Sequence, residues 1–128
     1  MEETKIKNFY DLEVWKRGHN FALTIYTVTK QFPKEELFGI VSQLQRAVSS
    51  VTANIAEGFA RYHFNDKIKF YYQARGSIAE VQNFILLARD LHYIKETSAQ
   101  DFIKQAQDIY QLINGLIRSI ENQKEKNS

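Results

Sequence analysis

The sequence predicts an all-α protein, an antiparallel up-down-up-down four-helix bundle. Four segments carry apolar residues at three- and four-residue steps, which is the period of an amphipathic helix, and no segment alternates as a strand would. The connections are only about three to eight residues long, and short connections favour antiparallel neighbours. We therefore expect a single domain over residues 1–128 with loose termini and helices at about 11–32, 35–57, 66–91 and 98–122.

The first helix is expected to begin near Asp11, a candidate N-cap, and to end before Pro33, which is the only proline. Its three- and four-residue spacing places one apolar face inward, joined by Ile25 and Phe32: Leu12, Trp15, His19, Ala22, Tyr26 and Thr29.

The second helix begins after the acidic pair Glu35 and Glu36, which suits the positive end of a helix dipole. We expect Gly58 to end it in a left-handed conformation. The residues predicted to face the core are Leu37, Ile40, Leu44, Ala47, Val51 and Ile55. The opposite face is small, which would let another backbone approach: Ser42, Ser49, Ser50, Ala53 and Ala56.

The third helix can be capped by Asn65, and its inward face is Tyr71, Ala74, Ile78, Val81, Ile85 and Ala88. The stretch 84–88 is apolar nearly all round, which indicates burial on a second side. Phe84, Leu86 and Leu87 are thus candidate contacts with another subunit. Gly76 and Ser77 lie in mid-helix, where a glycine costs about 1 kcal/mol relative to alanine, so we expect a close helix crossing there.

The fourth helix begins at Thr97 or Ser98, and we expect its tail to fray from Asn122 onward. It carries the cleanest heptad of the chain: Phe102, Ala106, Ile109, Ile113, Leu116 and Ile120.

Composition excludes several classes of protein. Cysteine is absent, so disulfides and thiolate metal sites are excluded, and no apolar run is long enough for a membrane span. With no apolar signal core at the N-terminus, we expect a cytoplasmic protein. The net charge is only +2, but residues 41–90 hold six basic and four acidic side chains while both flanks balance. An anionic partner would therefore bind the middle of the chain.

The best functional candidate is a basic and aromatic stretch in that middle region. Its cations are predicted to bind RNA or DNA: Arg46, Arg61, Lys67, Lys69 and Arg75. They alternate with the rings of Tyr62, Phe64, Phe70, Tyr71 and Tyr72. Basic groups neutralise phosphates, and exposed rings stack on unpaired bases. The alternative is that the cations form an ordinary solvated face over core aromatics.

A second polar set lies at the end of the second helix and comprises Asn54, Glu57 and Arg61, with Arg46 two turns earlier. It is either a partner-binding patch or a structural feature. A structural role would follow because Glu57 and Arg61 are four residues apart on a helix and can pair. Asn54 can satisfy carbonyls near the helix end.

An enzyme is not expected. The three histidines lie in different segments, with no Glu-x-x-His pair for a metal and no glycine-rich phosphate loop. Glu57, His63 and Asp66 form a weak candidate for a nuclease site. We predict a non-catalytic protein with no cofactor and no metal.

Several segments also resemble a known family. Asn54-Ile55-Ala56-Glu57-Gly58, with Gln43 to Ala47 before it, resembles the 23S ribosomal RNA intervening-sequence proteins, four-helix bundles related to accessory proteins of diversity-generating retroelements. Three further segments match in order: Phe9 to Lys16, Phe32 to Glu36, and Ala74 to Ser77 with Glu80. Val51-Thr52 replaces a proline expected from that pattern.

The resemblance implies a homo-oligomer, a pentamer in relatives, that acts around RNA or a reverse transcriptase. It assigns no catalytic residue, but it singles out Asn54, Glu57, Gly58, Gly76 and Ser77 as structural or interface positions. Two hypotheses follow. One is nucleic-acid binding through the basic surface, and the other is a protein scaffold that docks a reverse-transcriptase-like partner without binding nucleic acid.

Overall fold

The computed structural model describes residues 5–126 and contains four long helices. These are α1 (Glu13–Thr29), α2 (Ser42–Ala60), α3 (Phe64–Asp90) and α4 (Glu96–Lys126). A 3-10 turn at Phe9–Asp11 precedes α1, and a 3-10 turn at Lys34–Glu36 followed by a π-helical turn at Leu37–Val41 leads into α2. The prediction of an all-α four-helix bundle is confirmed.

Contacts between consecutive helices show that each runs antiparallel to the next. Thr29 near the end of α1 accepts a hydrogen bond from Gln45 near the start of α2. Gly18, near the start of α1, lies against Thr52, further along α2. Between α2 and α3, Lys67 donates to Gly58, and Ser77 further along α3 contacts Ser50 earlier in α2, at 2.9 Å. Between α3 and α4, Lys124 donates to Asn65, and Arg75 further along α3 donates to Asn114 earlier in α4, at 3.0 Å. The start of α1, the end of α2, the start of α3 and the end of α4 therefore share one end of the bundle, which we call the α2–α3 end.

The core follows the predicted faces of α2, α3 and α4 closely. Every residue predicted to face inward from α3 is buried. In α2, Ile40, Leu44, Ala47, Val51 and Ile55 are buried, whereas Leu37 is 55% exposed. In α4 the buried face uses Ile117, and Leu116 is only partly buried.

The predicted inward face of α1 is right for Ile25, Thr29 and Phe32, which are buried, and wrong for the other residues. Its buried residues are Val14, Gly18, Phe21, Ile25 and Thr29. His19 and Tyr26 are exposed, and Trp15 and Ala22 only flank the core. Helix 1 carries two apolar stripes about 100° apart, one through Val14, Phe21 and Ile25 and one through Trp15, Ala22 and Tyr26. The first of these stripes is the one that α2 and α4 cover.

Three helix ends also differ from prediction. Asp11 does not cap α1, because its carboxylate accepts the backbone N–H groups of Lys7 and Asn8, which hold its pKa below the usual value. Asn65 does not cap α3, whose N-cap is His63. The tail expected to fray from Asn122 is helical as far as Lys126, where the last turns lie beside the start of α3.

Both glycine predictions are wrong in an informative way. Gly58 lies inside α2 and is buried, and no glycine among the described residues has a positive φ. Instead of ending the helix it gives room to a neighbour, since a Cβ at this position would lie 2.6 Å from Cε1 of Tyr71. Gly76 itself does not face a neighbouring helix, because a Cβ there would meet nothing within 4 Å, whereas the adjacent Ser77 does contact α2, through Ser50 at 2.9 Å.

The turn between α3 and α4 holds a residue in a left-handed conformation. His92 has φ 64, while its N–H donates to Arg89 O and the Tyr93 N–H donates to Ala88 O. This pair of hydrogen bonds is the Schellman ending of a helix, where glycine is the usual residue. The hydroxyl of Tyr93 then donates to Glu36 at 2.8 Å, which ties this turn to the start of the second helical segment and raises the pKa of Tyr93.

Candidate nucleic-acid interface

The connection between α2 and α3 contains only Arg61, Tyr62 and His63, and all three are exposed. Both flanking residues have extended backbone, with φ −75 and ψ 145 at Arg61 and φ −84 and ψ 141 at His63. Such a short extended link leaves the side chains pointing away from the bundle. Tyr62 is 88% exposed, and its ring meets that of His63 edge to face at 5.1 Å between centroids.

Arg61 is held in a fixed place by two contacts. Its guanidinium donates to Glu57 at 3.2 Å, which matches the predicted pairing four residues apart. It also lies over the ring of Phe70, 4.7 Å from the centroid. The exposed pair contributes little to stability, and its consequence is a positioned cation beside Tyr62.

Lys67 serves the bundle itself. Its ammonium donates to the carbonyls of Gly58 at 3.3 Å and Phe59 at 2.8 Å, and it lies 5.6 Å from the centre of the Phe59 ring. These are carbonyls at the end of α2, where the helix dipole is negative. Partial burial lowers the pKa of Lys67. Its ammonium is thus turned toward the protein, away from a bound phosphate.

The remaining predicted cations do not lie together. Lys69 is exposed close to the α2–α3 connection, and Arg46 is exposed on α2 about 22 Å away along the helix axis, from 15 residues at 1.5 Å each. The side chain of neither forms a hydrogen bond or ion pair with another residue between 5 and 126. Arg75 faces α4 through Asn114, and its guanidinium lies 5.0 Å from the centre of the Tyr72 ring. Arg61 and Lys69 are the predicted cations that share one exposed region.

A groove opens beside this region between the start of α3 and the end of α4. It encloses about 420 Å³ and is lined by Asn65, Ile68, Tyr72, Glu121, Lys124 and Glu125. The exposed ammonium of Lys124 donates to Asn65 at 2.6 Å, which joins α4 to α3 at this groove. Tyr72 is 44% exposed on the wall. Sequence reasoning did not include Asn65 or Lys124 in the site, because only the register between α3 and α4 brings them together.

The family-motif residues form a polar link between α2 and α3. The Asn54 amide donates to the carbonyl and hydroxyl of Ser50, at 2.9 and 3.0 Å. Ser77 donates to the Gln73 carbonyl, which leaves the Ser50 hydroxyl to donate to Ser77. Both hydroxyl hydrogens in this link therefore have an acceptor. These hydrogen bonds give Asn54 and Ser77 a structural role, which was one of the two alternatives for Asn54.

The predicted subunit contacts lie on two sides of α3. Phe84 is partly buried against the core, whereas Leu86 and Leu87 are 40% and 44% exposed. At the opposite end from the connection, Phe38 is 92% exposed in the π-helical turn. The subunit contacts themselves stay a prediction.

Residues 5–126 contain no group of three or more histidine, aspartate or glutamate side chains that could hold a metal ion. Glu57, His63 and Asp66 therefore do not form such a cluster. Within the same part of the chain, no helix is both long and apolar enough to cross a membrane.

Comparison with known proteins decides the family. The model of the 23S rRNA-intervening sequence protein family matches residues 10–115, from the first turn to well into α4. The chain belongs to this family. A crystal structure of a protein of unknown function from the S23 ribosomal protein family of Bacteroides thetaiotaomicron is also similar. It has a TM-score of 0.76 and 23% identity over 82% of this chain and 95% of that one, which is a likeness of fold. No curated protein matches. The sequence-based resemblance to 23S rRNA intervening-sequence proteins is confirmed.

Proposed function

We propose that this 23S rRNA-intervening sequence protein is a non-catalytic, cytoplasmic nucleic-acid-binding protein. The observation that supports it is the pair of exposed cations at the α2–α3 end, Arg61 and Lys69, beside the exposed ring of Tyr62. Arg61 is already positioned by Glu57 and Phe70, so binding a phosphate would cost it little side-chain freedom. Arg46 extends the same basic character along α2.

One subunit offers few phosphate contacts, so the proposal includes a homo-oligomer, with Leu86 and Leu87 as candidate contacts and five subunits as the resemblance implies. When several copies of a weak site are linked, binding of one copy holds the others at a high effective concentration near the same polyanion. The assembly therefore binds more tightly than a single copy does. The net charge of +2 per chain is too small for strong binding without this multiplication.

The test is fluorescence anisotropy of labelled structured RNA and duplex DNA, from low to physiological salt, with light scattering on the same samples. We expect affinity to fall steeply with salt, with a slope that reports several released counterions. Lys69→Glu should weaken binding and reduce the magnitude of that slope by about one for each phosphate that the variant no longer neutralises.

The matched control is Lys104→Glu, an identical charge change at an exposed site on α4 near the other end of the bundle. It should leave binding unchanged. Lys67→Glu is a poor test, since it removes hydrogen bonds to the end of α2. Binding that ignores salt, or equal losses of affinity in Lys69→Glu and Lys104→Glu, would overturn the proposal.

The exposure of Phe38 and Leu37 favours a second candidate, a scaffold that docks a reverse-transcriptase-like protein. An apolar contact of this kind would persist at high salt, where phosphate contacts fail. Size-exclusion chromatography with such a purified partner would show a complex at high salt that Phe38→Ser abolishes. A complex that Phe38→Ser leaves intact would argue against this surface.

A further inference from the structure

We infer that the α2–α3 end binds unpaired nucleotides, with two exposed rings as stacking platforms: Tyr72 in the 420 Å³ groove and Tyr62 in the α2–α3 connection. This rests on the proposed function and specifies its ligand as single-stranded nucleic acid. The shared chemistry is a flat base joined to a phosphate, present in both RNA and DNA.

The Tyr72 ring is prepared for stacking. The Arg75 guanidinium lies over the ring at 5.0 Å, and Asn114 fixes that guanidinium from α4 at 3.0 Å. The ring is 44% exposed on the wall of the groove. The guanidinium covers one face of the ring, so a base entering the groove would stack on the opposite face of a ring whose orientation is already set.

Polar groups around the groove suit the rest of a nucleotide. The exposed Lys124 ammonium in the groove is a cation for a phosphate, and the Asn65 amide that it contacts carries both donors and an acceptor. Glu121, which lines the groove from α4 together with Glu125, can accept from an exocyclic amino group, as carboxylates do with cytosine. Lys69 and Arg61 lie toward Tyr62 and would follow the backbone out of the groove.

Spacing excludes a duplex from using both rings. Tyr72 lies eight residues into α3 from Phe64, so about 12 Å of helix separates its ring from the connection that carries Tyr62. Bases within a duplex are stacked about 3.4 Å apart, and their faces are covered by their neighbours. Only bases that are unstacked can lie against these two rings together.

The experiment measures anisotropy of labelled 12-nucleotide rU and dT strands, and of a 12-base-pair duplex, at one low salt concentration. Variants are Tyr72→Ala, Tyr72→Phe and Tyr62→Ala. The control is Tyr26→Ala, which removes from α1 a ring whose exposure (42%) is close to that of Tyr72 (44%) and which lies away from the groove. Circular dichroism melting checks that each variant is folded.

We expect Tyr72→Ala and Tyr62→Ala each to weaken binding of one or both single strands by about five-fold or more, the lower range for loss of one stacked base. Tyr72→Phe and Tyr26→Ala should bind as the wild type does, and duplex affinity should not change. No loss of affinity in the alanine variants, or the same loss on duplex, overturns the inference.

The charge-reversal variant separates this inference from the proposed function. If Lys69→Glu weakens binding while the tyrosine variants do not, the inference fails and the proposed function stands. If the wild type binds neither strands nor duplex, both fail.

Discussion

Gly58 provides a sharp test of how α2 packs on α3. A Cβ at this position would lie 2.6 Å from Cε1 and 2.8 Å from Cδ1 of Tyr71, and 3.2 Å from Cβ of Phe70. Carbon atoms pack best at about 3.5–4.0 Å, so Gly58→Ala forces the two helices apart by about 1 Å or displaces a buried ring. Overpacking of this kind costs about 1–3 kcal/mol, and alanine returns up to about 1 kcal/mol of helix propensity. We expect a net loss of about 1–2 kcal/mol in the free energy of unfolding.

Gly76→Ala is the matched control, since it makes the same change in mid-helix where nothing lies within 4 Å. It should stabilise the protein by about 0.5–1 kcal/mol, because only the propensity difference remains. Urea unfolding at one protein concentration measures both. Gly58→Ala should also cease to be destabilising in a Tyr71→Ala background, where the ring is gone. If Gly58→Ala stabilises the protein as much as Gly76→Ala does, the packing argument is refuted.

Two further predictions concern stability. His92→Gly should raise the free energy of unfolding by about 0.5–1 kcal/mol, because relieving the left-handed backbone of His92 (about 1–2 kcal/mol) outweighs the extra chain entropy that glycine loses on folding. Urea unfolding measures the change, and His92→Ala should show no such gain. Equal free energies of unfolding for the two variants would contradict the reasoning. Burial raises the pKa of Tyr71 to about 12 from 10.0, so the unfolded chain loses this proton first and stability should fall between pH 10 and 12, by up to about 1.4 kcal/mol per pH unit. Tyr71→Phe should have a shallower alkaline loss of stability, and parallel curves for the two proteins would count against it.

Periodicity was sufficient for α3 and insufficient for α1. Helix 3 has one apolar stripe, so its buried residues could be read from spacing alone. Helix 1 has two, one through Phe21 and Ile25 and one through Trp15, Ala22 and Tyr26, and the choice between them depends on the neighbouring helices. Spacing along one helix carries no information about that choice.

The candidate site shows the same division between local and non-local information. The Glu57–Arg61 pair follows from a spacing of four and was predicted. The role of Lys67 depends on where the last carbonyls of α2 point after the chain has turned, and spacing cannot supply this. Gly58 was misjudged for a related reason, since a glycine that ends a helix and one that admits a ring look alike until the ring's position is known.

The antiparallel order of neighbours has a consequence for how the chain folds. The polar contacts between helices join segments adjacent in sequence, such as Gln45 with Thr29 and Ser50 with Ser77. Among the described residues, distant parts of the chain meet where α1 packs against α4 and where Tyr93 donates to Glu36. A groove of about 210 Å³ lies along the α1–α4 seam, between residues 17–24 and 105–109. The entropy cost of closing the long loop between α1 and α4 is therefore associated with a contact that is loosely packed. We therefore expect most of the bundle to form through local steps, as in fast-folding helical proteins, and the α1–α4 seam to close last.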